Sequence, residues 1–167
     1  MRILSSARRV FLSHRFRLPF CAALICCSLS SCTSVSRAQF QCDADINNGL
    51  LLAIDLIEVH DEEVRMIQAA GEDWFTSDTR KALQDRIKTI SVRDSCSEVV
   101  ELQGLTSTEK FLRKKKGYGK LAIIAEYETI SGEHAAPSVK ILPRKAWKGK
   151  KILIRVHQDY LTVEGAL

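Results

Sequence analysis

The sequence has no apolar run long enough to cross a bilayer. Its best stretch, residues 18–29, falls short of the about 20 apolar residues that a spanning helix needs. It has no acidic residue before Cys32, no Gly-rich phosphate loop, no GxSxG nucleophile motif and no CxxC pair. These absences leave nucleotide binding, serine hydrolysis and a zinc centre without a sequence signature, and no cofactor or metal is expected. There is no internal repeat, and the only biased segment is a short Ser-rich stretch, residues 33–41.

What is present begins with a leader. Arg2, Arg8, Arg9, Arg15 and Arg17 give a basic front, and the short apolar run follows it. That order is the pattern of an export signal. It closes on Leu29-Ser30-Ser31-Cys32, small residues before a Cys, which is the pattern of a bacterial lipoprotein processing site. The reading is a signal peptide over residues 1–31, an acylated Cys32 with a tether over 32–44, and a single periplasmic domain over 45–167. Ordinary cleavage after Ser36-Arg37-Ala38, leaving Gln39 first, is the rival. An uncleaved anchor is disfavoured by the short apolar run.

The leader distorts the composition. The chain has 25 basic and 20 acidic residues, a formal +5. Five of the bases precede Cys32, so the remainder is neutral and gives no support for nucleic-acid binding. The charge is divided along the chain. Residues 43–109 hold 15 acids and 6 bases, and residues 110–167 hold 13 bases and 5 acids. The halves either neutralise each other in the fold or present two electrostatic faces. Six Cys shrink in the same way. Cys21, Cys26 and Cys27 lie in the leader and Cys32 takes lipid, which leaves Cys42 and Cys96 as a disulfide pair in an exported chain. Such a bridge adds roughly 3–4 kcal/mol by restricting the unfolded chain.

The patterning predicts a domain of α+β or mainly β class, a small β-sandwich-like fold decorated with two to three helices. Residues 50–59 alternate with both faces apolar, as in a central strand covered on both sides. Asn47-Asn48-Gly49 before it is a turn. Asp61-Glu62-Glu63 opens a helix, its acids matched to the helix dipole. Thr76 or Ser77 caps a second, with Leu83, Ile87 and Ile90 as its stripe. Thr106-Ser107-Thr108-Glu109 forms a capping box for a third, which ends in Arg113-Lys114-Lys115-Lys116. Further strands are expected at 99–102, 120–127, 138–142 and 150–156, with residues 160–163 extending the last or turning back.

For catalysis the material is thin. His60, His134 and His157 are far apart in the sequence. Trp74-Phe75 serve either as a partner-binding anchor or, more in keeping with their place, as a plug between helix and sheet. Trp147, between Lys145 and Lys148, reads as partly exposed and suited to a partner or a membrane surface.

Taken together, the lipobox, the short tether and the strands Leu50-Leu51-Leu52-Ala53-Ile54-Asp55-Leu56-Ile57, Leu121-Ala122-Ile123-Ile124-Ala125-Glu126-Tyr127 and Lys151-Ile152-Leu153-Ile154-Arg155-Val156 resemble the outer-membrane lipoprotein of the type VI secretion system. The resemblance implies a two-sheet sandwich without enzymatic activity. It implies an anchor in outer-membrane lipid through acylated Cys32, a domain facing the periplasm, and an adaptor role toward a large inner-membrane secretion protein. Thr33 after the Cys fits sorting to the outer membrane. The region 61–90 departs from the family in looking more helical. A periplasmic hydrolase or ligand-binding lipoprotein, drawing on His60, His134 or His157, is the alternative. An envelope-stabilising protein that touches cell wall or lipid through the basic second half is a third.

Overall fold

The computed structural model describes residues 35–103, 105, 114–115, 117–128 and 138–165. Among the described residues, eight strands make two four-stranded sheets. One runs β4 (Ser97–Glu101), β1 (Arg37–Cys42), β7 (Lys151–Val156), β8 (Leu161–Glu164). The other runs β3 (Lys88–Val92), β2 (Leu52–Val59), β5 (Lys120–Glu126), β6 (Ser138–Leu142). Neighbours are antiparallel except β1 and β7, which are parallel.

The period-2 alternation of side chains turns Ala38 and Phe40 of β1 and Ile152, Ile154 and Val156 of β7 inward. They meet Leu52, Ile54 and Leu56 of β2 and Leu121, Ile123 and Ala125 of β5 in one core. The β2–β5 sheet is buried on its other face too. There Ile57, Val59, Ala122 and Ile124 pack against Ile67 and Trp74. The cover is α1 (Asp61–Ala70), a 3-10 segment (Gly71–Thr76), α2 (Asp78–Leu83) and a short 3-10 turn (Gln84–Arg86). A sheet covered on both faces explains why β2 reads as continuously apolar.

Local chemistry places this cover. The acids that open α1 lie in its first turn as expected, and Glu63 in addition accepts from the His60 backbone N–H at 3.1 Å, closing a capping box. Ser77 caps α2, its Oγ accepting from the Arg80 N–H at 3.1 Å. Asp55, fully buried on β2, holds the cover down. It accepts from Trp74 Nε1 at 3.0 Å, Arg80 Nε at 2.7 Å and Thr89 Oγ1 at 2.6 Å. A buried carboxylate is tolerable only when satisfied in this way.

Three expectations are corrected. The tether does not reach residue 44, because β1 begins at Arg37 and its Ala38 and Phe40 are fully buried. Its outward residues Arg37, Gln39 and Gln41 made a core strand read as a polar linker. The stripe Leu83, Ile87, Ile90 is not helical throughout: α2 stops at Leu83, and Ile90 lies on β3, paired with Ile54. A spacing of three or four residues cannot by itself separate a helix from a helix–turn–strand sequence. Strand β2 begins at Leu52, so Leu50 and Leu51 stand outside the sheet. Of the two courses expected for the end of the chain, residues 161–164 take the turn back, and β8 pairs antiparallel with β7. The capping box at 106–109, His134, Cys32 and the leader lie outside the described residues.

Candidate functional site

The sandwich has two unlike ends. At the near end β1 starts, with Arg37 opposite Glu101 and Lys151, and Val59 of β2 lies opposite Lys120 of β5. The short helix α3 (Arg144–Trp147) links β6 to β7 there. At the far end β1 finishes, with Cys42 opposite Val156, and Leu52 opens β2 opposite Val92.

The far end is built by a left-handed turn. Asn47, Asn48 and Gly49 have φ of 45, 54 and 77°. Asn tolerates this region better than most residues, and Gly enters it freely. Asn47 is fully buried and acts as a brace. Its Oδ1 accepts from the Glu128 N–H at 2.7 Å, and its Nδ2 donates to the Leu51 carbonyl at 3.2 Å. Its backbone N–H donates to the Gln158 carbonyl at 3.0 Å, which ties the turn to the β7–β8 loop. The result turns Leu50 and Leu51 outward, 46% and 50% exposed.

Two further ties stiffen this end. Cys42 and Cys96 form the expected disulfide, with Cα atoms 4.8 Å apart. It joins the end of β1 to the turn between β3 and β4. The Tyr127 hydroxyl, buried at the end of β5, donates toward the Tyr160 carbonyl at 2.8 Å and the His157 carbonyl at 3.2 Å. Burial, first, and the charges of Asp159 and Asp43 push this phenol well up, so it stays a donor at any physiological pH. His157 stacks on Tyr160 with ring centroids 4.4 Å apart, and its Nδ1 lies 2.9 Å from Asp43 Oδ2. Tyr160 itself is 48% exposed. Around Leu50, Leu51 and Tyr160 lie the exposed acids Asp43, Asp45, Asp94, Glu128 and Asp159, with Arg93 the base among them.

The aromatic candidates behave differently. Trp74 is fully buried, its indole on Asp55, so it is the plug and not an anchor. Phe75 is partly buried beside it, with the Arg80 guanidinium 5.4 Å above its ring. Trp147 is fully buried as well, and its Nε1 donates to the Gly119 carbonyl at 2.8 Å. Its basic neighbours suggested exposure, but the four-residue helix turns them outward and the indole inward. The Leu50–Leu51 tip was missed because both residues continue the alternation of β2. Three consecutive turn-formers, Asn47-Asn48-Gly49, were the available signal that a strand had not yet begun.

A hollow of about 510 Å³ at the near end is lined by His60, Asp61, Glu62, Arg65, Lys115 and Lys120. Its charges pair across it: Lys120 Nζ lies 2.6 Å from Asp61 and Lys115 Nζ 3.9 Å from Glu62. His60 follows β2 at the near end and His157 follows β7 at the far end, so these two do not share a site. Glu63 beneath the hollow is an ionised structural group. Burial works to raise its pKa, but the Arg86 hydrogen bonds, at 2.6 and 3.1 Å, and the His60 N–H outweigh it and hold it below the ordinary value of 4.5. Among the described residues no helix is long and apolar enough to cross a membrane, and no group of three metal-ligating side chains occurs.

Neither a protein-family model nor a curated protein sequence matches the chain. Solved structures do. A chain of a type VI membrane complex superposes with a TM-score of 0.56 at 12% identity, over 78% of this chain and 98% of that one. The Serratia marcescens Lip protein, described as a membrane-bound component of the type VI secretion system, gives 0.51 at 14% identity, over 81% and 99%. The chain shares the fold of these type VI secretion components. A chain from a structure described as the C-terminal domain of the T6SS protein TssM from EAEC gives 0.53 at 12% identity, over 77% and 99%. The sandwich expected from the resemblance is therefore the one found.

Proposed function

We propose that this protein is a lipid-anchored adaptor. Cys32 holds it on the outer membrane, it faces the periplasm, and its far end docks an envelope protein of a type VI secretion complex. The observation that carries the docking surface is the exposed Leu50–Leu51 pair, fixed on a braced turn beside Tyr160 and rimmed by five exposed acids. Apolar anchors on a rigid support, inside a charged rim, are the anatomy of a protein interface. The acids select a basic partner surface. A large inner-membrane secretion protein is the partner that the family resemblance implies.

The anchor reading gains from β1. Cleavage after Ala38 would remove Ser36, Arg37 and Ala38. That would discard a buried core residue, the Ser36 Oγ that accepts from Gly149 N–H at 2.7 Å, and the Arg37 N–H bond to the Lys150 carbonyl at 2.9 Å. Processing before Cys32 keeps the strand whole.

Crosslinking in membranes followed by mass spectrometry tests the proposal. Native protein recovers an inner-membrane secretion component, and Leu50→Asp/Leu51→Asp loses it. Equal recovery by both would remove the docking surface from the tip. Recovery of no secretion component would sink the adaptor. Release of Cys32→Ala from the membrane fraction checks the anchor separately.

A further inference from the structure

The near end carries an unassigned feature, a basic face. Arg144 and Lys145 of α3, Lys150, and Lys151 at the start of β7 are all exposed, and among the described residues none forms an ion pair with a carboxylate. Lys114 is likewise exposed. Among the described residues most near-end acids are already matched, Glu58 lying 3.9 Å from Lys148, while Asp85, beside Arg86 at the foot of the helical cover, is exposed without an ion pair. Glu101 lies 3.5 Å from Arg37, Asp61 2.6 Å from Lys120 and Glu62 3.9 Å from Lys115. The acids Glu72, Asp73 and Asp78 sit elsewhere, on the helical cover of the β2–β5 sheet. The fold holds this face in shape. Trp147 is pinned beneath it to Gly119, and the Gly149 and Lys150 backbone is bonded to Ser36 and Arg37.

The chain enters the sandwich at this same face. Ser36 is buried, and its carbonyl accepts from the Leu102 N–H at 2.9 Å. Only Thr33, Ser34 and Val35 separate it from Cys32. Fully extended, these span no more than about 14 Å from Cys32 to Ser36. That reach is comparable with a Debye length of about 8 Å at physiological ionic strength.

The geometry points to the near end as a membrane-facing surface, its Arg144, Lys145, Lys150 and Lys151 seated against anionic phospholipid headgroups. This orientation rests on the Cys32 anchor and adds to it. Lipid attachment alone lets the domain tumble about its tether, whereas the basic face holds the far end away from the bilayer. The acidic rim of that far end reinforces the choice, since anionic lipid repels it. Each cation near such a surface favours the seated state by about fivefold.

Amine labelling by a membrane-impermeant reagent tests this with the mature acylated protein. Vesicles are phosphatidylcholine alone or phosphatidylcholine mixed with phosphatidylglycerol. Labelling of Lys145, Lys150 and Lys151 falls about fivefold in the mixed vesicles. It recovers at about 0.5 M salt, where the Debye length is roughly 4 Å. Lys81 on α2 is the internal reference and does not change. In Lys145→Glu/Lys150→Glu the protection of Lys151 disappears while Lys81 labelling stays constant, which reports an intact fold. Equal labelling in the two vesicle types, or protection that survives salt, overturns the orientation. Flotation on phosphatidylcholine vesicles reads the anchor by itself. Native protein that floats without charge-dependent protection loses the orientation and keeps the anchor. Native protein that does not float loses both.

Discussion

The two ends of the sandwich are built from the same strands and differ in almost every chemical respect. The near end is basic, is where the chain enters the sandwich at Ser36, and is closed by the buried indole of Trp147 in α3. The far end is acidic, exposes Leu50, Leu51 and Tyr160, and is stiffened by the Cys42–Cys96 bridge and the Tyr127 hydroxyl. The contrast teaches that the divided charge of the sequence is not simply self-neutralising. Antiparallel strands carry each half of the chain back and forth, yet the exposed loop charges are sorted unevenly, the near-end acids Asp61 and Glu62 being paired with Lys120 and Lys115. Asp43, Asp45 and Asp94 from the acidic half meet at one end with Asp159 and Glu128. Arg144, Lys145, Lys150 and Lys151 from the basic half gather at the other.

The contrast breaks most severely at the near end. Trp147→Ala removes a fully buried indole and its bond to Gly119, and should cost about 3–5 kcal/mol in urea unfolding. A loss under about 1 kcal/mol would mean that α3 is not a structural cap. Breaking the far end costs slightly less. Cys42→Ala/Cys96→Ala opens a bridge across 54 residues and should lower stability by about 3–4 kcal/mol. Intact mass before and after reduction of the native protein should differ by two hydrogen atoms, the two electrons coming from the added reductant, and free thiols without reduction would contradict the bridge.

Acid sharpens the contrast by acting on the near end. Glu63 has a folded pKa below its ordinary 4.5, so its contribution is complete above that value and disappears as pH falls through the folded pKa. Glu63→Gln should therefore lose about 2 kcal/mol at neutral pH and converge with the native protein in strong acid. A constant gap across that range would assign the loss to packing and not to charge. The smallest effect belongs to the tip. Leu50→Asp/Leu51→Asp should leave stability within about 0.5 kcal/mol while abolishing partner capture. A large destabilisation would show that the leucines pack in solution, contrary to their exposure.

Legibility followed burial. Strands β2, β5 and β7 were readable because a dense apolar run of strand length, bounded by polar or turn residues, fits a covered strand far better than a loop. β6 was readable for its length and flanks. β1 was not, since Arg37-Ala38-Gln39-Phe40-Gln41-Cys42 turns only Ala38 and Phe40 fully inward and three polar residues outward. Its strand state depends on the two partners, β4 and β7, that flank it. The disulfide and the burial of Trp74 were legible, the first by elimination, whereas the exposure of Leu50 and Leu51 and the burial of Trp147 were not. Those depend on backbone direction, at the Asn47–Asn48 turn and in α3.

The sequence by itself determined the export pattern, the candidate pair Cys42 and Cys96, the central strands, the acidic start of α1 and a cap at Thr76 or Ser77. All of these are local or compositional, set by residues within a few positions of one another or by a count. Only the tertiary structure decided which end each loop occupies, and so where the charge lies and which apolar residues meet water. Those outcomes come from pairings across the whole chain, such as Arg37 with Lys151 and Asn47 with Gln158, whose partners no local pattern names.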